Sequence, residues 1–328
     1  MAADDGHEVD LLVLGAGPAG LFAAYYAGFR GLSVAIVDAL PEAGGQITAM
    51  YPEKMIFDVA GLPAVRGRDL VASLVAQADS GAPTWLLGRQ ARTLLTLPDG
   101  RLRMGLADGV LIDARAVLIT AGLGEFRPRP LPGAGERVGG SVLHFVPQPR
   151  THEGEDVVVV GGGDSAFDWA AALHPLARSV TLVHRRARFR AHPAMVRDVR
   201  ERGVSIITDA EVAELVDGPA GLSEVVIRFA DGEIRTLPAQ RVIAALGFVA
   251  DLGPIESWGI DVAQRTIPVD STMRTSRELI YAAGDVTSYP GKVRLIATGF
   301  GEAATAVNNI AVALDPAAHL FPGHSTQA

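Results

Sequence analysis

Residues 9–30 read VDLLVLGAGPAGLFAAYYAGFR, and this stretch decides the fold. Val9–Leu14 is apolar except for Asp10, the composition of a buried strand. Gly15-Ala16-Gly17-Pro18-Ala19-Gly20 breaks the run, and Leu21–Arg30 continues as a helix. A second apolar strand, Leu32–Val37, ends on Asp38. Strand, G-x-G-x-x-G turn, helix and a second strand ending in an acid form the unit that cradles a dinucleotide. Gly15 permits the tight turn, Gly17 lets the backbone approach a pyrophosphate, and Gly20 lets helix and strand close on each other. The helix N-terminus offers N–H groups and a positive dipole end to the phosphates. Asp38 stands where a carboxylate bonds the ribose hydroxyls of an adenosine. A glycine-rich turn without a ligand has no need of that acid.

The pattern then repeats. Asp156–Val160 is a strand, Gly161-Gly162-Gly163-Asp164-Ser165-Ala166 a second phosphate turn, Phe167–Leu173 a helix and Ser179–Val183 the next strand. Asp38 lies 18 residues past Gly20, and the same offset from Ala166 falls on His184, followed by Arg185 and Arg186. An acid favours a free 2′-hydroxyl, whereas arginines favour a 2′-phosphate through charge-assisted bonds. The first turn therefore suits FAD or NAD and the second NADP, with Arg190 close by. A solvated basic edge is the plain alternative, but few such edges sit at the ribose end of a nucleotide turn.

Each copy is followed by a similar sequel. Pro83–Leu87, Ala91–Leu97, Arg101–Leu106 and Val110–Ile112 read as short strands, and Ala116–Thr120 as an apolar strand before Ala121-Gly122. After the second copy, Val204–Thr208, Glu211–Val216, Ser223–Phe229 and Glu233–Leu237 are strands, and Arg241–Ala245 precedes Leu246-Gly247. The whole domain is thus duplicated. In the C-terminal third, Leu279–Asp285 is a strand ending in Gly-Asp, and Ala297-Thr298-Gly299 opens a helix running to about Leu314. Asp285 reads alone as a turn residue. After two nucleotide folds, it reads as a carboxylate for a sugar-alcohol hydroxyl.

The expected class is α/β, with two Rossmann-like, three-layer dinucleotide-binding domains. Residues 1–122 and 252–328 would form the FAD domain and residues 123–251 an inserted NADP domain. The chain would cross between them near Gly122–Phe126 and Gly247–Gly253, a double connection suited to a hinge.

Composition narrows the chemistry. The 328 residues include no cysteine, which excludes disulfides, thiolate metal sites, Cys-ligated iron–sulfur clusters and dithiol relays. No metal site is expected. The net charge of −8 argues against nucleic acid as the partner, although Arg185, Arg186, Arg188 and Arg190 form a local basic cluster. Met1–Asp10 is acidic and carries no apolar segment, and no apolar run is long enough for a bilayer, so a cytoplasmic protein is expected.

These motifs, with Gly44-Gly45-Gln46, Ala283-Gly284-Asp285 and Gly301-Glu302-Ala303, resemble the thioredoxin-reductase fold. Tyr51-Pro52-Glu53-Lys54, Phe189-Arg190-Ala191-His192, Tyr289-Pro290-Gly291-Lys292 and Pro322-Gly323-His324-Ser325 resemble, within it, the thioredoxin-reductase-type ferredoxin/flavodoxin–NADP reductases. The resemblance covers essentially the whole chain. Thioredoxin reductases carry Cys-x-x-Cys shortly before the second turn, where this chain has His144-Phe145-Val146-Pro147. The resemblance implies FAD on Gly15, Gly17, Pro18, Ala19, Gly20, Asp38, Gly45, Gln46, Ala91 through its backbone, Phe126, Asp285 and Thr326. It implies Tyr51 and His324 stacked on the two flavin faces. Thr326 replaces the Ser common in relatives, and Pro147-Gln148 departs from the usual connector. NADP falls to Gly161, Gly163, Asp164, Ser165, Ala166, His184, Arg185, Arg186 and Arg190. The implied reaction is hydride transfer between NADPH and FAD, then one-electron transfers with ferredoxin or flavodoxin, with no side-chain catalyst and a homodimeric enzyme. The rivals are an NADPH-dependent flavin reductase, oxidase or quinone reductase, and a non-enzymatic flavin redox sensor.

Overall fold

The computed structural model describes residues 6–122 and 124–323, apart from the side chains of 125–127, 136 and 248–250. The chain forms two compact units, one from residues up to 125 and from 250 onward, the other from residues 126–249. The helices are α1 (Pro18–Phe29), α2 (Gln46–Met50), α3 (Gly67–Asp79), α4 (Asp164–Leu173), α5 (Pro193–Glu201) and α6 (Ile296–Leu314).

In the first unit, strands Thr84–Leu87, Val34–Asp38, His7–Leu14 and Leu111–Ile119 lie side by side in that order, all parallel. Ile280–Ala282 joins the C-terminal half of Leu111–Ile119, also parallel. The N-terminal half of that strand pairs antiparallel with Leu102–Leu106, which pairs with Ala91–Thr96. The strand sides alternate as the two-residue period requires. Leu11 and Val13 pack with residues of α1, α3 and α6, while Leu12 and Leu14 face Met104, Val117 and Trp258. Helices therefore cover one face, and the meander and residues 252–260 the other.

The second unit has a five-stranded parallel sheet in the order Val142–Leu143, Arg241–Ala244, Asp156–Val160, Ser179–His184, Ser205–Thr208. In both parallel sheets the strand that carries the glycine turn has the next two parallel strands of the chain on one side and the strand after the meander on the other. The strand beyond that comes last in the chain in the first sheet and first in the second. Both are Rossmann-type. The duplication diverges at the meander. In the second unit Ala210–Gly218, Gly221–Phe229 and Ile234–Pro238 form a separate antiparallel sheet, while in the first unit the meander is continuous with the parallel sheet.

One expectation is corrected. Val110–Ile112 and Ala116–Thr120, read as two strands, are a single nine-residue strand, Leu111–Ile119. Arg115 interrupts the apolar run but sits at an exposed position of the pleat. Its guanidinium donates to Asp10 at 2.9 Å and to the Leu314 carbonyl at 2.7 Å, so the charge ties the strand's solvent side without breaking it. No helix among the described residues is long and apolar enough to cross a membrane.

Candidate functional site

The first glycine turn separates positions that the protein itself closes from positions that it leaves open. Gly15 has φ +112°, and a Cβ there would lie 2.6 Å from the Thr120 carbonyl oxygen. A Cβ on Gly20 would lie 1.9 Å from the Gly15 carbonyl oxygen. Both glycines are demanded by internal packing. A Cβ on Gly17 would meet nothing within 4 Å. Gly17 is the N-cap of α1, Pro18 follows it, and no side chain caps the helix. The open space thus lies directly before uncapped N–H groups and the positive end of the helix, which is what a pyrophosphate needs.

Other segments close in around that space. The Gly44 N–H donates to the Ala16 carbonyl at 2.8 Å, and a Cβ on Gly45 would lie 3.1 Å from the Gly17 Cα. Gly45, at φ +56°, is the N-cap of α2 and sets Gln46 at its first position. The Gln46 amide reaches the Gly122 backbone, where an added Cβ would stand 3.2 Å from Nε2. A Cβ on Gly284 would sit 3.3 Å from the Ala19 Cβ, and one on Gly299 3.4 Å from it. The end of strand Ile280–Ala282 and the first turn of α6 therefore meet the same helix N-terminus. Asp285 follows Gly284 there. Burial pushes its carboxyl up, while Lys292 and Arg294 pull it down.

Asp38 lies at the strand end facing this turn. It accepts the Ala16 N–H at 2.6 Å and the Leu40 N–H at 2.8 Å, one on each oxygen. Burial pushes its carboxyl above the ordinary carboxylate range, and these two N–H groups partly offset that. Each oxygen keeps a lone pair for a ribose hydroxyl. The loop leading to Ala91 is tied alongside, since Arg89 donates its N–H to the Asp38 carbonyl at 2.9 Å. Tyr51 caps the C-terminus of α2, half-buried, and its phenol is pushed up by burial and by the charges of Asp285 and Asp58. Tyr51 and Asp285 thus come together. His324 and Thr326 lie outside the described residues, as does the Phe126 side chain.

Sequence reading missed Thr120. Its buried hydroxyl donates to the Gly15 carbonyl at 2.8 Å and lies 3.1 Å from the Leu14 carbonyl, locking the turn from the neighbouring strand. Its position next to Ala121-Gly122 at a strand end was the only hint. Thr120→Val is expected to lower unfolding stability by about 1–3 kcal/mol, because the buried Gly15 carbonyl loses a donor. Chemical denaturation checks this, and an unchanged midpoint would contradict it.

The second turn repeats the division. A Cβ on Gly161 would lie 2.4 Å from the Ala245 carbonyl oxygen, whereas one on Gly163 would meet nothing within 4 Å. Gly163 is the uncapped N-cap of α4, with Asp164, Ser165 and Ala166 in its first turn. A Cβ on Gly162 would lie 2.3 Å from the His184 ring, so the imidazole rests against the turn. The Gly162 carbonyl accepts the N–H groups of Arg190 at 2.8 Å and Ala191 at 3.2 Å, and Asp164 accepts the His192 N–H at 2.8 Å. Residues 190–192 are thus folded back on the turn. Phe189 packs between the His184 and Phe167 rings, at 5.5 Å and 5.0 Å. His184, Arg185, Arg186 and Arg190 consequently share one rim, with the three arginines exposed. Burial first, then the three arginine charges, push the His184 imidazole below its ordinary value. A hydrogen bond to the Arg188 backbone opposes this shift only in part, so the neutral imidazole is favoured. Its contribution to stability is complete above the ordinary histidine value and is lost as pH falls through the depressed one.

Residues 9–309 match the family model described as pyridine nucleotide-disulphide oxidoreductase. The chain is 68% identical to a ferredoxin–NADP reductase of Saccharopolyspora erythraea over 97% of each chain. It is 59% identical to one of Nocardioides sp. over 100% of this chain and 99% of the relative, and 44% identical to one of Halalkalibacterium halodurans over 97% of each. Among solved structures it is similar to the T. acidophilum thioredoxin reductase, with a TM-score of 0.82 and 26% identity over 94% of this chain and 99% of that one.

Proposed function

The chain belongs to the pyridine nucleotide-disulphide oxidoreductase family, and from that premise we propose an FAD-dependent enzyme that passes electrons from NADPH to a ferredoxin. The observation that carries this is the contrast between two equivalent strand ends: Asp38 beside one open turn, His184-Arg185-Arg186 beside the other. In this proposal Gly15, Gly17, Pro18, Ala19 and Gly20 hold the FAD pyrophosphate, and Asp38 holds the adenosine ribose. Gly45, Gln46, Ala91, Phe126, Asp285 and Thr326 bind the remainder, with Tyr51 and His324 on the two ring faces. Gly161, Gly163, Asp164, Ser165 and Ala166 receive the NADPH pyrophosphate, and His184, Arg185, Arg186 and Arg190 its 2′-phosphate.

Bound FAD supplies the chemistry that no side chain here offers, exchange between a two-electron hydride and single electrons. The protein's own work is to hold, orient and discriminate. With no cysteine in the chain, no dithiol stands between FAD and the carrier, unlike the dithiol-bearing members of the fold. The resemblance extends the proposal to flavodoxin as an alternative carrier, to a homodimer and to the cytoplasm.

The test is steady-state turnover of the flavin-loaded protein. NADPH oxidation is expected to depend on added ferredoxin, and NADH to be a poor donor. Equal rates with oxygen or a quinone, and no gain from ferredoxin, would overturn the assignment. Because ferredoxins are generally acidic, a basic docking patch is expected despite the net charge of −8. Raising salt until the Debye length shrinks from about 10 Å to about 3 Å should lower kcat/KM for ferredoxin roughly tenfold. A rate that ignores salt would count against that patch.

A further inference from the structure

Beside the Gly284-Asp285 turn lies a buried charged cluster to which neither the dinucleotide motifs nor the electron transfer assigns a task. Glu302, on the second turn of α6, has its side chain 4% exposed, and Lys292, its partner, 9%. One Glu302 oxygen, Oε1, accepts both the Lys292 ammonium and the Tyr289 hydroxyl. The other, Oε2, accepts the Gly284 N–H at 2.7 Å. Lys292 also donates to the Gly284 carbonyl at 3.0 Å. Thr287 adds its hydroxyl to that same carbonyl at 2.8 Å and its N–H at 3.1 Å. Burial and the bond to Glu302 push the Tyr289 phenol up to about 12, so it stays a donor throughout the working pH range.

Taking two charges out of water is costly, and a well-packed apolar pair would serve stability as well or better. The arrangement of these bonds points elsewhere. Both peptide groups flanking the Gly284 Cα are held, the N–H by Glu302 and the carbonyl by Lys292 and Thr287. Gly284 has φ +83°, a conformation that needs such support to be unique. It packs on Ala19 at the head of α1, and the next residue is Asp285. Clamping both sides of Gly284 therefore fixes where the Asp285 backbone and carboxylate point.

We infer that Glu302, Lys292 and Thr287 are positioning residues for FAD: by clamping the Gly284 peptide groups they orient Asp285 toward the cofactor. The inference rests on the FAD assignment above. It separates two roles that a single substitution would confound, a buried ion pair that merely stabilises and a clamp that aims a ligand-binding backbone.

The test compares two uncharged double variants of the full chain, E302Q/K292M and E302L/K292M. Both remove the ion pair without leaving a lone buried charge. Only the glutamine keeps an oxygen that can accept the Gly284 N–H. Each protein is stripped of flavin, its apo Tm is measured, and FAD is titrated back by fluorescence quenching. The apo Tm confirms that each variant is folded at the titration temperature, with the leucine variant lying lower because the Gly284 N–H loses its acceptor. E302Q/K292M, in which Thr287 still holds the Gly284 carbonyl, is expected to bind FAD within about threefold of the parent. E302L/K292M is expected to bind about tenfold to a hundredfold more weakly than E302Q/K292M, the cost of leaving the buried Gly284 N–H without an acceptor. Equal FAD affinity in the two doubles would overturn the inference. Should the leucine variant fail to fold, Thr287→Val, which keeps the shape and removes one donor to the Gly284 carbonyl, takes its place. An unchanged FAD affinity there would also overturn it. A parent protein that does not bind FAD at all would instead remove the functional assignment itself.

Discussion

Replacing Arg185 and Arg186 together by alanine is expected to lower kcat/KM for NADPH by on the order of a hundredfold to ten-thousandfold, while leaving NADH within about threefold of its starting value. Each charge-assisted bond to a 2′-phosphate is worth about 1.5–3 kcal/mol. The geometry makes the effect specific. Arg185 and Arg186 are exposed and follow the strand that ends on His184, whose ring rests on Gly162. Nothing in the glycine turn itself depends on their side chains, since Gly162 is held by the backbone N–H groups of Arg190 and Ala191. The pyrophosphate cradle should survive, and NADH shares that cradle. Equal losses with both nucleotides would mean that the arginines serve the fold or the cradle instead.

Gly20→Ala is expected to abolish FAD binding and to destabilise the first unit by several kcal/mol, on the order of the larger single-residue effects known. Its Cβ would stand 1.9 Å from the Gly15 carbonyl oxygen and 2.6 Å from the Thr120 hydroxyl oxygen, so α1 must move away from its strand. Gly17→Ala is the informative contrast. Its Cβ meets no protein atom within 4 Å, so the apoprotein should melt within about 2 °C of the parent. Its methyl would nonetheless enter the space before the α1 N-terminus, and FAD affinity should fall about a hundredfold, as close backbone approach to the pyrophosphate is lost. Apo Tm and FAD titration on both variants distinguish packing glycines from ligand glycines. Intact FAD binding by Gly17→Ala would contradict the placement of the pyrophosphate.

The dinucleotide units were legible because they rest on local constraints. A glycine turn between a strand and a helix declares itself by its spacing within six residues, with Gly20 packed directly on Gly15, and the Asp38 and His184 positions follow from a fixed strand length. Elements set by distant partners were not. Thr120 is an ordinary strand-end threonine until Gly15 is packed against it. Glu302 and Lys292 were visible as parts of motifs, but their roles depend on a fold that brings α6 against the Gly284 turn. The helices α3 and α5 were not read as helices, and Arg115 disguised one strand as two because outward charge and strand break look alike in sequence. The flavin-stacking role of His324 and the contact of Thr326 rest on the resemblance alone, as both lie outside the described residues.

The most direct measurement is an anaerobic titration of the flavin-loaded protein with NADPH, followed by oxidised ferredoxin, watched through the flavin absorbance. Two open glycine turns, one beside an acid and one beside arginines, predict that about one equivalent of NADPH bleaches the flavin. They predict also that NADH does so far less readily, and that ferredoxin restores the absorbance. A flavin that NADPH leaves oxidised, or a bleached flavin that ferredoxin cannot reoxidise, would contradict the proposed electron path.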